Sequence, residues 1–283
     1  MEDLTDPRLA VVTGASSGIG LAAAEELARR GWSVALVGRD PGRLTAATER
    51  VRAAAKESSD MESAGTVDSF QCDFAVLDEV RELAGKLREA YPRIDVLANN
   101  AGGALPSRRT TVDSHEETIQ TNHLASFLLS HELRERLRGG RIINTSSAVH
   151  TQGSLDPEDL SSNRRTYRMM GIYGSAKQAN ILFAGEAARR WPEIVSTSYH
   201  PGVVRTRFGN ESPLYSFFYR YVPGLRTPQR GAATLVWLAT AAPDALRSGA
   251  YYVDEKERRP AAKATDPALA KALWQATHQT LNL

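Results

Sequence analysis

The chain has 283 residues, of which 42% are apolar, so it can bury a substantial core in one or two domains. Lys and Arg number 35 against 33 Asp and Glu, and the resulting net charge of +2 disfavours a basic nucleic-acid-binding surface. The single cysteine, Cys72, excludes an internal disulfide and therefore a disulfide-stabilised secreted fold.

Short β-branched runs alternate with longer runs rich in Ala, Leu, Glu and Arg over about the first 200 residues. The pattern predicts, in chain order, a strand at 9–13, a turn at 14–20, a helix at 21–30, a strand at 33–37, a helix at 41–56, a strand within 67–72, a helix near 77–90, a strand at 94–98, a helix at 113–138, a strand at 141–145, a helix at 172–190 and a strand at 194–199. Helices of this length between strands imply right-handed crossovers and a parallel sheet. We therefore predict one α/β domain over 1–283, with a doubly wound parallel sheet of the Rossmann type and a small substrate-cap region.

Two segments break this alternation, residues 151–171 and residues 206–227, and both are irregular and rich in Pro, Gly, Ser and Arg. Each follows the carboxyl end of a predicted strand, where ligands bind in open α/β sheets. The two segments are candidates for a substrate rim, and polar surface insertions are the alternative. The aromatic run at 214–221 is a candidate apolar lid, a contact with a partner or membrane surface, or the packing of a small helical cap.

A glycine-rich turn with the sequence GASSGIG joins the first predicted strand to the first predicted helix. Gly14 permits a tight turn, Gly18 lets the backbone approach a pyrophosphate, and Gly20 allows the helix to pack closely on the strand. The exposed N–H groups and the positive dipole at the helix start favour a bound anion. In this strand–turn–helix context the spacing predicts a dinucleotide site.

The end of the second predicted strand bears on the choice of cofactor. An acidic residue at this tip would bind the adenosine ribose hydroxyls and repel a phosphate, but the sequence has Gly38 followed by Arg39. A guanidinium fits a 2′-phosphate and can also stack on adenine. Asp40 weakens the argument, although it stands just before Pro41 and is a candidate cap for the next helix. We predict NADP(H) in preference to NAD(H).

Tyr173 and Lys177 stand four residues apart on one predicted helix face. A free tyrosine has a pKa near 10 and exchanges protons poorly at neutral pH, whereas a neighbouring ammonium favours the phenolate. This spacing alone occurs by chance in many proteins. Here it is accompanied by Ser146 and Ser147 after the fifth predicted strand and by Asn99-Asn100-Ala101-Gly102 after the fourth.

These motifs, TGxxxGIG, NNAG, the serine and YxxxK, occur in the order typical of short-chain dehydrogenases/reductases, and PGVVRT at 201–206 matches a further family segment. The sequence resembles that family over roughly residues 8 to 255. Within the family it is most similar to retinol dehydrogenases and related reductases, on the segments NHL at 122–124, RIINTSSAVH at 141–150, DLSS at 159–162, NILFA at 180–184 and HPG at 200–202.

The resemblance implies the roles of four catalytic residues, Asn122, Ser147, Tyr173 and Lys177. Tyr173 is expected to be the general acid/base, and Lys177 is expected to lower its pKa and hold the nicotinamide ribose. Ser147, in preference to Ser146, is expected to donate a hydrogen bond to the substrate oxygen. Asn122 is expected to anchor a water that links Lys177 to solvent.

The resemblance also implies an NADP(H) site in which Asp73 and Phe74 flank the adenine, Asn100 lies near its ribose, and Val204 and Thr206 contact the carboxamide end. The full predicted set is Gly14, Ser16, Ser17, Gly18, Ile19, Gly20, Arg39, Asp73, Phe74, Asn100, Ala101, Gly102, Tyr173, Lys177, Val204 and Thr206.

The leading hypothesis is an NADP(H)-dependent oxidoreductase that reduces a ketone or aldehyde of an apolar small molecule, or oxidises the corresponding alcohol. The alternatives are an enzyme of the same fold with a non-redox outcome, such as a dehydratase or epimerase, and a non-catalytic NADP(H)-sensing protein. His123, His150 and His200 have no ligand spacing, so no metal site is predicted and structural or rim roles are favoured.

The expected partner is a small carbonyl or alcohol substrate, with no nucleic acid. The Ala-rich faces of the helices at 113–138 and 172–190 could pair between subunits in a homo-oligomer, or could instead pack on the sheet. No run approaches the roughly 20 apolar residues of a membrane span, and residues 1–6 are acidic, unlike the start of a secretory leader. A cytoplasmic protein is predicted.

Overall fold

A single twisted sheet organises the computed structural model, which describes residues 7–57, 65–204 and 225–283. The described strands, in chain order, are β1 Leu9–Thr13, β2 Ser33–Gly38, β3 Val67–Gln71, β4 Val96–Asn99, β5 Arg141–Thr145, β6 Val195–His200, β7 Tyr251–Val253 and β8 Lys256–Arg258. Their order across the sheet is β3-β2-β1-β4-β5-β6-β7-β8. All neighbours are parallel except β8, which pairs antiparallel with β7. The predicted Rossmann-type sheet is therefore confirmed, with an added antiparallel edge strand.

Helices cover both faces of this sheet. The described α-helices are α1 Gly18–Arg29, α2 Pro41–Ala55, α3 Leu77–Ala90, a composite α4, α5 Met169–Arg190, α6 Pro228–Thr240 and α7 Pro267–Leu281. The composite α4 consists of an α-helical turn Glu117–Ile119, a π-helical turn Gln120–Leu124 and an α-helical segment Ala125–Glu132. Short 3₁₀ turns lie at Arg134–Leu137, Ala148–Gln152, Pro157–Asp159, Pro243–Ala245 and Ala262–Ala264. None of the helices in the described ranges is long and apolar enough to cross a membrane.

The strand pattern assigns the helices to two layers. In β1, Leu9 and Val11 belong to one apolar cluster, which also contains side chains of α3, α4, α5 and α7. Ala10 and Val12 belong to a second cluster, shared with α1, α2 and α6. Successive strand residues face opposite sides, so a strand that is buried on both sides is mostly apolar, as β1 is from Leu9 to Val12.

The helix predicted at 113–138 begins later and is less regular than its sequence pattern indicates. Asp113 accepts hydrogen bonds from the backbone N–H of Leu77 at 2.9 Å and from Gln120 Nε2 at 2.8 Å. Asp113 therefore binds the N-terminus of α3 and is not the first residue of α4. Ser114, the next residue, has a positive φ of 65°. Glu116 is the residue that caps α4, through its contact with the Ile119 N–H at 2.8 Å.

Four elements beyond residue 200 were not predicted from the sequence: α6, β7, β8 and α7. Thr227 caps α6 ahead of Pro228, and Asp266 caps α7 ahead of Pro267. The β7–β8 hairpin turns at Asp254 and Glu255, whose φ values are 51° and 61°. Such turns usually carry Gly or Asn, so these two acidic residues gave no turn signal.

Candidate active site

The glycine-rich turn lies between the carboxyl end of β1 and the start of α1. Gly14 has a φ of +66°, and a Cβ there would lie 2.9 Å from the Cα of Ala101. A Cβ on Gly20 would lie 2.5 Å from the backbone oxygen of Gly14. Ser17 is the N-cap of α1, yet its side chain makes no capping hydrogen bond in the described part of the chain. The helix start therefore presents backbone N–H groups to the cleft, an arrangement that fits the pyrophosphate of a dinucleotide.

Arg39 follows β2 with its side chain 60% exposed, and its guanidinium lies 3.9 Å from the Asp73 carboxylate. Asp40 is engaged by the next helix, because its Oδ1 accepts from the Arg43 N–H at 2.8 Å and its Oδ2 lies 3.2 Å from Arg43 Nη2. These hydrogen bonds lower the pKa of Asp40. The sequence-based suggestion that Asp40 caps α2 is confirmed.

The Asn100–Gly102 segment after β4 is tied to β1 through Thr13. The Thr13 hydroxyl accepts from the N–H groups of Asn100 at 2.9 Å and Ala101 at 3.0 Å, and it donates to the Ala98 oxygen. Asn100 Nδ2 donates to the Thr13 backbone oxygen at 3.0 Å. This clamp holds the segment as a wall of the cleft directly beside the glycine-rich turn.

Asn122 lies beneath that wall, in the π-helical turn of α4. Its Nδ2 donates to the backbone oxygens of Gly103 at 2.8 Å and Thr118 at 2.7 Å. Its Oδ1 is buried and has no hydrogen-bond partner among the described residues. An unpaired buried oxygen is costly, and this atom can accept a hydrogen bond from a bound water. The water anchor expected for Asn122 stays a prediction.

Tyr173 and Lys177 lie on the first half of α5, next to the end of β5. Lys177 is 3% exposed, its Nζ donates to the Thr145 backbone oxygen at 3.1 Å, and it lies 5.3 Å from the centre of the Tyr173 ring. Burial lowers the pKa of Lys177 to about 7, and no carboxylate in the described ranges is paired with it. The ammonium expected from the sequence is thus only partly populated at neutral pH in the unliganded protein.

The two serines after β5 have different surroundings. The Ser146 hydroxyl is 1% exposed and donates to the Lys177 backbone oxygen at 2.8 Å, so it braces β5 against α5. The Ser147 hydroxyl lines the cleft and accepts from the Val149 N–H at 3.3 Å. Because one lone pair of Ser147 is engaged in this way, its own proton is available to an acceptor in the cleft.

These groups meet in one cleft of about 830 Å³ at the carboxyl edge of the strands. The cleft contains most of the predicted site residues: Gly14, Ser16, Ser17, Gly18, Ile19, Arg39, Asp73, Phe74, Asn100, Ala101, Gly102, Ser147, Tyr173, Lys177 and Val204. Gly20 and Asn122 lie behind its walls. Thr206 lies outside the described residues, as do most of the 206–227 segment and the aromatic run at 214–221. The 151–171 segment contributes Met170 to the cleft.

The short chain dehydrogenase family model matches residues 8–214. The chain belongs to the short-chain dehydrogenase family. It is 50% identical over 270 residues to a Streptomyces sp. (strain C5) protein named as a candidate daunorubicin C-13 ketoreductase, DnrU, with 95% of this chain and 91% of that protein covered. It is 35% identical over 285 residues to human retinol dehydrogenase 13, with 96% and 84% covered. The predicted similarity to the retinol dehydrogenase subgroup is thereby confirmed.

Among solved members of the short-chain dehydrogenase family, a Sphingobium yanoikuyae enzyme in complex with NADPH is 27% identical to this chain. It aligns with a TM-score of 0.64 over 82% of this chain and 84% of its own. Membership of this family makes the protein a short-chain dehydrogenase/reductase oxidoreductase, a class that uses a nicotinamide cofactor.

Several residues that line the cleft of this protein were not predicted from the sequence. Arg43, Leu105 and Arg109 belong to this group, and Arg109 pairs with Glu117 at 3.1 Å. The sequence offered one usable signal, because Arg43 stands one helical turn after Arg39 at the start of α2. Leu105 and Arg109 lie on the loop after β4, which carries no recognisable motif.

The histidines for which structural or rim roles were predicted include His123 and His200. His123 is buried, lies 3.1 Å from the Thr277 hydroxyl, and packs edge-on against Phe127. His200 lines the cleft, and its Nδ1 accepts from the Ala148 N–H at 3.3 Å. Burial lowers the pKa of His200 to about 4, so it is neutral at pH 7.

Proposed function

We propose that this protein is an NADP(H)-dependent reductase of a ketone or aldehyde group on an apolar small molecule. One observation carries the proposal: Tyr173, Lys177 and Ser147 line the same cleft as the uncapped N-terminus of α1. A proton donor and a hydrogen-bond donor therefore meet a dinucleotide site in one space, and that is what carbonyl reduction by a nicotinamide requires.

The preference for NADP(H) over NAD(H) rests on the charge at the β2 tip. Arg39 and Arg43 both line the cleft there. Of the two nearby carboxylates, Asp40 is bound by Arg43 and Asp73 lies 3.9 Å from Arg39. Two guanidinium groups at this position favour the binding of a 2′-phosphate. The NADPH complex of the Sphingobium relative supports the same choice.

The substrate class is inferred from the side chains beyond the catalytic group. Ala104, Leu105, Val149, Met170 and Val203 contribute apolar surface to the cleft. Two relatives carry names that refer to a daunorubicin C-13 ketone in one case and to retinol in the other. These observations support a substrate with a large apolar body and one reactive carbonyl.

The residues of this chain divide the chemistry between them. Bound NADPH supplies the hydride. The Tyr173 phenol donates its proton to the carbonyl oxygen, and the Ser147 hydroxyl holds the same oxygen through a hydrogen bond. Lys177 has a pKa of about 7, so it can take up and release a proton near neutral pH and can reload Tyr173.

A panel of carbonyl compounds, followed at the nicotinamide absorbance with NADPH and separately with NADH, tests the proposal. The panel includes daunorubicin, retinal and simple aryl ketones, because the relatives' names point to the first two and the apolar cleft to the third. We expect reduction of at least one compound with NADPH favoured over NADH. Substrate conversion without net nicotinamide oxidation would point to a non-redox enzyme. NADPH binding without conversion of any compound would favour a sensing role.

A further inference from the structure

The His150 imidazole links the substrate-side serine to the C-terminal part of the chain. His150 lies on the 3₁₀ turn Ala148–Gln152 and is 6% exposed. Its Nδ1 lies 2.7 Å from the backbone oxygen of Ser147. The backbone N–H of Ala261 donates to its Nε2 at 3.0 Å. Both ring nitrogens are therefore engaged, one with each segment.

The two contacts define the protonation state of the ring. A backbone N–H can only donate, so the Nε2 that accepts from Ala261 must be unprotonated. The neutral imidazole then carries its proton on Nδ1 and donates it to the Ser147 oxygen. Burial lowers the pKa of His150, which favours the same neutral form.

The Ser147 peptide unit is fixed by these interactions. Its oxygen accepts from the His150 ring and also from the His150 backbone N–H at 3.1 Å. The ring itself packs edge-on against Tyr251, with centroids 5.4 Å apart and an interplanar angle of 64°. The imidazole is thus held in one plane by β7, and the peptide that carries the Ser147 hydroxyl is held by the imidazole.

We propose that His150 is a positioning residue for carbonyl reduction, in which its Nδ1–H holds the Ser147 peptide so that the Ser147 hydroxyl meets the substrate oxygen. The Nε2 contact anchors this arrangement to the segment at Ala261. The role rests on the proposed function, because Ser147 acts on a substrate oxygen only in that reaction. His150 touches no reacting atom, so its loss should change kcat and KM for the carbonyl compound and leave NADPH affinity unchanged.

Two substitutions separate positioning of Ser147 from simple anchoring of the C-terminal segment. His150→Leu removes both ring hydrogen bonds, and we expect kcat/KM to fall about tenfold for the carbonyl compound that the wild type reduces fastest. His150→Asn keeps a side-chain N–H near the Nδ1 position but is too short to reach Ala261. The kcat/KM of His150→Asn should stay within about threefold of wild type, although its melting temperature should fall as much as that of His150→Leu. His131→Leu, on α4 beside Trp191, is the control and should leave kcat/KM unchanged.

A double-mutant cycle tests whether His150 acts through Ser147. In a Ser147→Ala background, His150→Leu should cause no further loss of kcat/KM, and NADPH affinity by fluorescence titration should be the same in all variants. A further tenfold loss in that background would overturn the role. Equal kcat/KM for His150→Asn and His150→Leu, or a His150→Leu variant within twofold of wild type, would also overturn it.

Nitrogen-15 NMR of the unliganded, histidine-labelled protein provides a readout that is independent of turnover. The His150 signals, assigned by their loss in His150→Asn, should report the Nδ1–H tautomer, and the opposite tautomer would overturn the proposal. If the wild type reduces no carbonyl compound, the proposed function fails and takes the positioning role with it. If it turns over but the cycle shows no coupling, the positioning role alone fails.

Discussion

The substitution Lys177→Met replaces a buried amine by an apolar side chain of similar length, and we expect the unliganded variant to be more stable than the wild type although it loses turnover. Burial lowers the pKa of Lys177 from 10.5 to about 7. At pH 7 a shift of this size corresponds to a penalty on the order of 4 kcal/mol in the free energy of unfolding. The Thr145 oxygen that Lys177 contacts keeps a second donor, Asn180 Nδ2 at 3.0 Å, so removing the amine leaves no orphaned carbonyl.

The sign and pH range of this effect follow from proton linkage. Since the pKa of Lys177 is lower in the folded state than in the unfolded state, the unfolded chain binds more protons between about pH 7 and pH 10.5. The penalty is therefore complete below about pH 7, shrinks by roughly 1.4 kcal/mol for each pH unit above it, and disappears near pH 10.5. The advantage of Lys177→Met should narrow by roughly 2 kcal/mol from pH 7 to pH 9.

Urea unfolding of the unliganded proteins, followed by tryptophan fluorescence, measures this difference. At pH 7 the variant should also melt about 7 °C higher than the wild type, because unfolding a chain of this length carries an entropy near 0.6 kcal/mol/K. The control is Lys86→Met, which removes a 60% exposed lysine paired with Glu82 at 3.8 Å and should change stability by less than about 0.5 kcal/mol. A Lys177→Met variant that is less stable than wild type at pH 7, or a gap that does not narrow at pH 9, would refute the reasoning.

Three further predictions follow from the site and the core. Tyr173→Phe should abolish carbonyl reduction and leave the NADPH dissociation constant within a few-fold of wild type, and retained turnover would reject Tyr173 as the proton donor. Arg39→Ala should weaken NADPH far more than NADH in fluorescence titrations, and equal losses would contradict a 2′-phosphate contact. Trp274→Ala, at a 6% exposed side chain whose ring centre lies 4.8 Å from that of Phe127, should lower the free energy of unfolding by about 3–5 kcal/mol. A loss below about 1 kcal/mol would mean that α7 contributes little to the core.

The elements up to residue 200 were predicted because each strand or helix has a characteristic composition within its own segment. The predicted bounds of β1, α3 and β5 agree with the structure. The error at residues 113–116 arose because Asp113 caps a helix 36 residues away in the chain, a contact that no local pattern contains. The β7–β8 turn was missed because it adopts positive φ without glycine, and the π-helical turn of α4 has no sequence signature that we recognise.

The site shows the same division between local and tertiary information. The glycine-rich turn, the serine and the YxxxK pair were predicted because the spacing itself carries the chemistry, and the family resemblance assigned the roles. Sequence alone could not foresee that Lys177 would be buried without a carboxylate, since its partners come from β5 and from α5. Met170 lies in the 151–171 segment that was predicted as a substrate rim, whereas Leu105 reaches the cleft from a loop that has no motif, so its contribution became visible only in the fold.

The C-terminal helix α7 covers part of the face that was predicted to pair between subunits. Pairing of the α4 and α5 faces between subunits was one prediction from their composition. In the structure, α7 packs along α5, and its Trp274 contacts Phe127 of α4 and Trp191 beyond the end of α5. A second subunit approaching this part of the α4–α5 face would meet α7. A homo-oligomer stays a prediction, but the covered part of that face is a poor candidate for its interface.

Three features of this fold that cost stability lie around the cleft. Lys177 gives up the hydration of its charge, Asn122 Oδ1 is buried without a described partner, and Gly14 adopts a backbone that side chains disfavour. Folding alone offers no reason to keep a desolvated lysine beside a tyrosine ring, because an apolar residue would pack there at lower cost. The arrangement is understandable if the amine is retained for proton transfer at neutral pH. The increase in the free energy of unfolding expected for Lys177→Met measures the stability that the protein gives up to keep this amine.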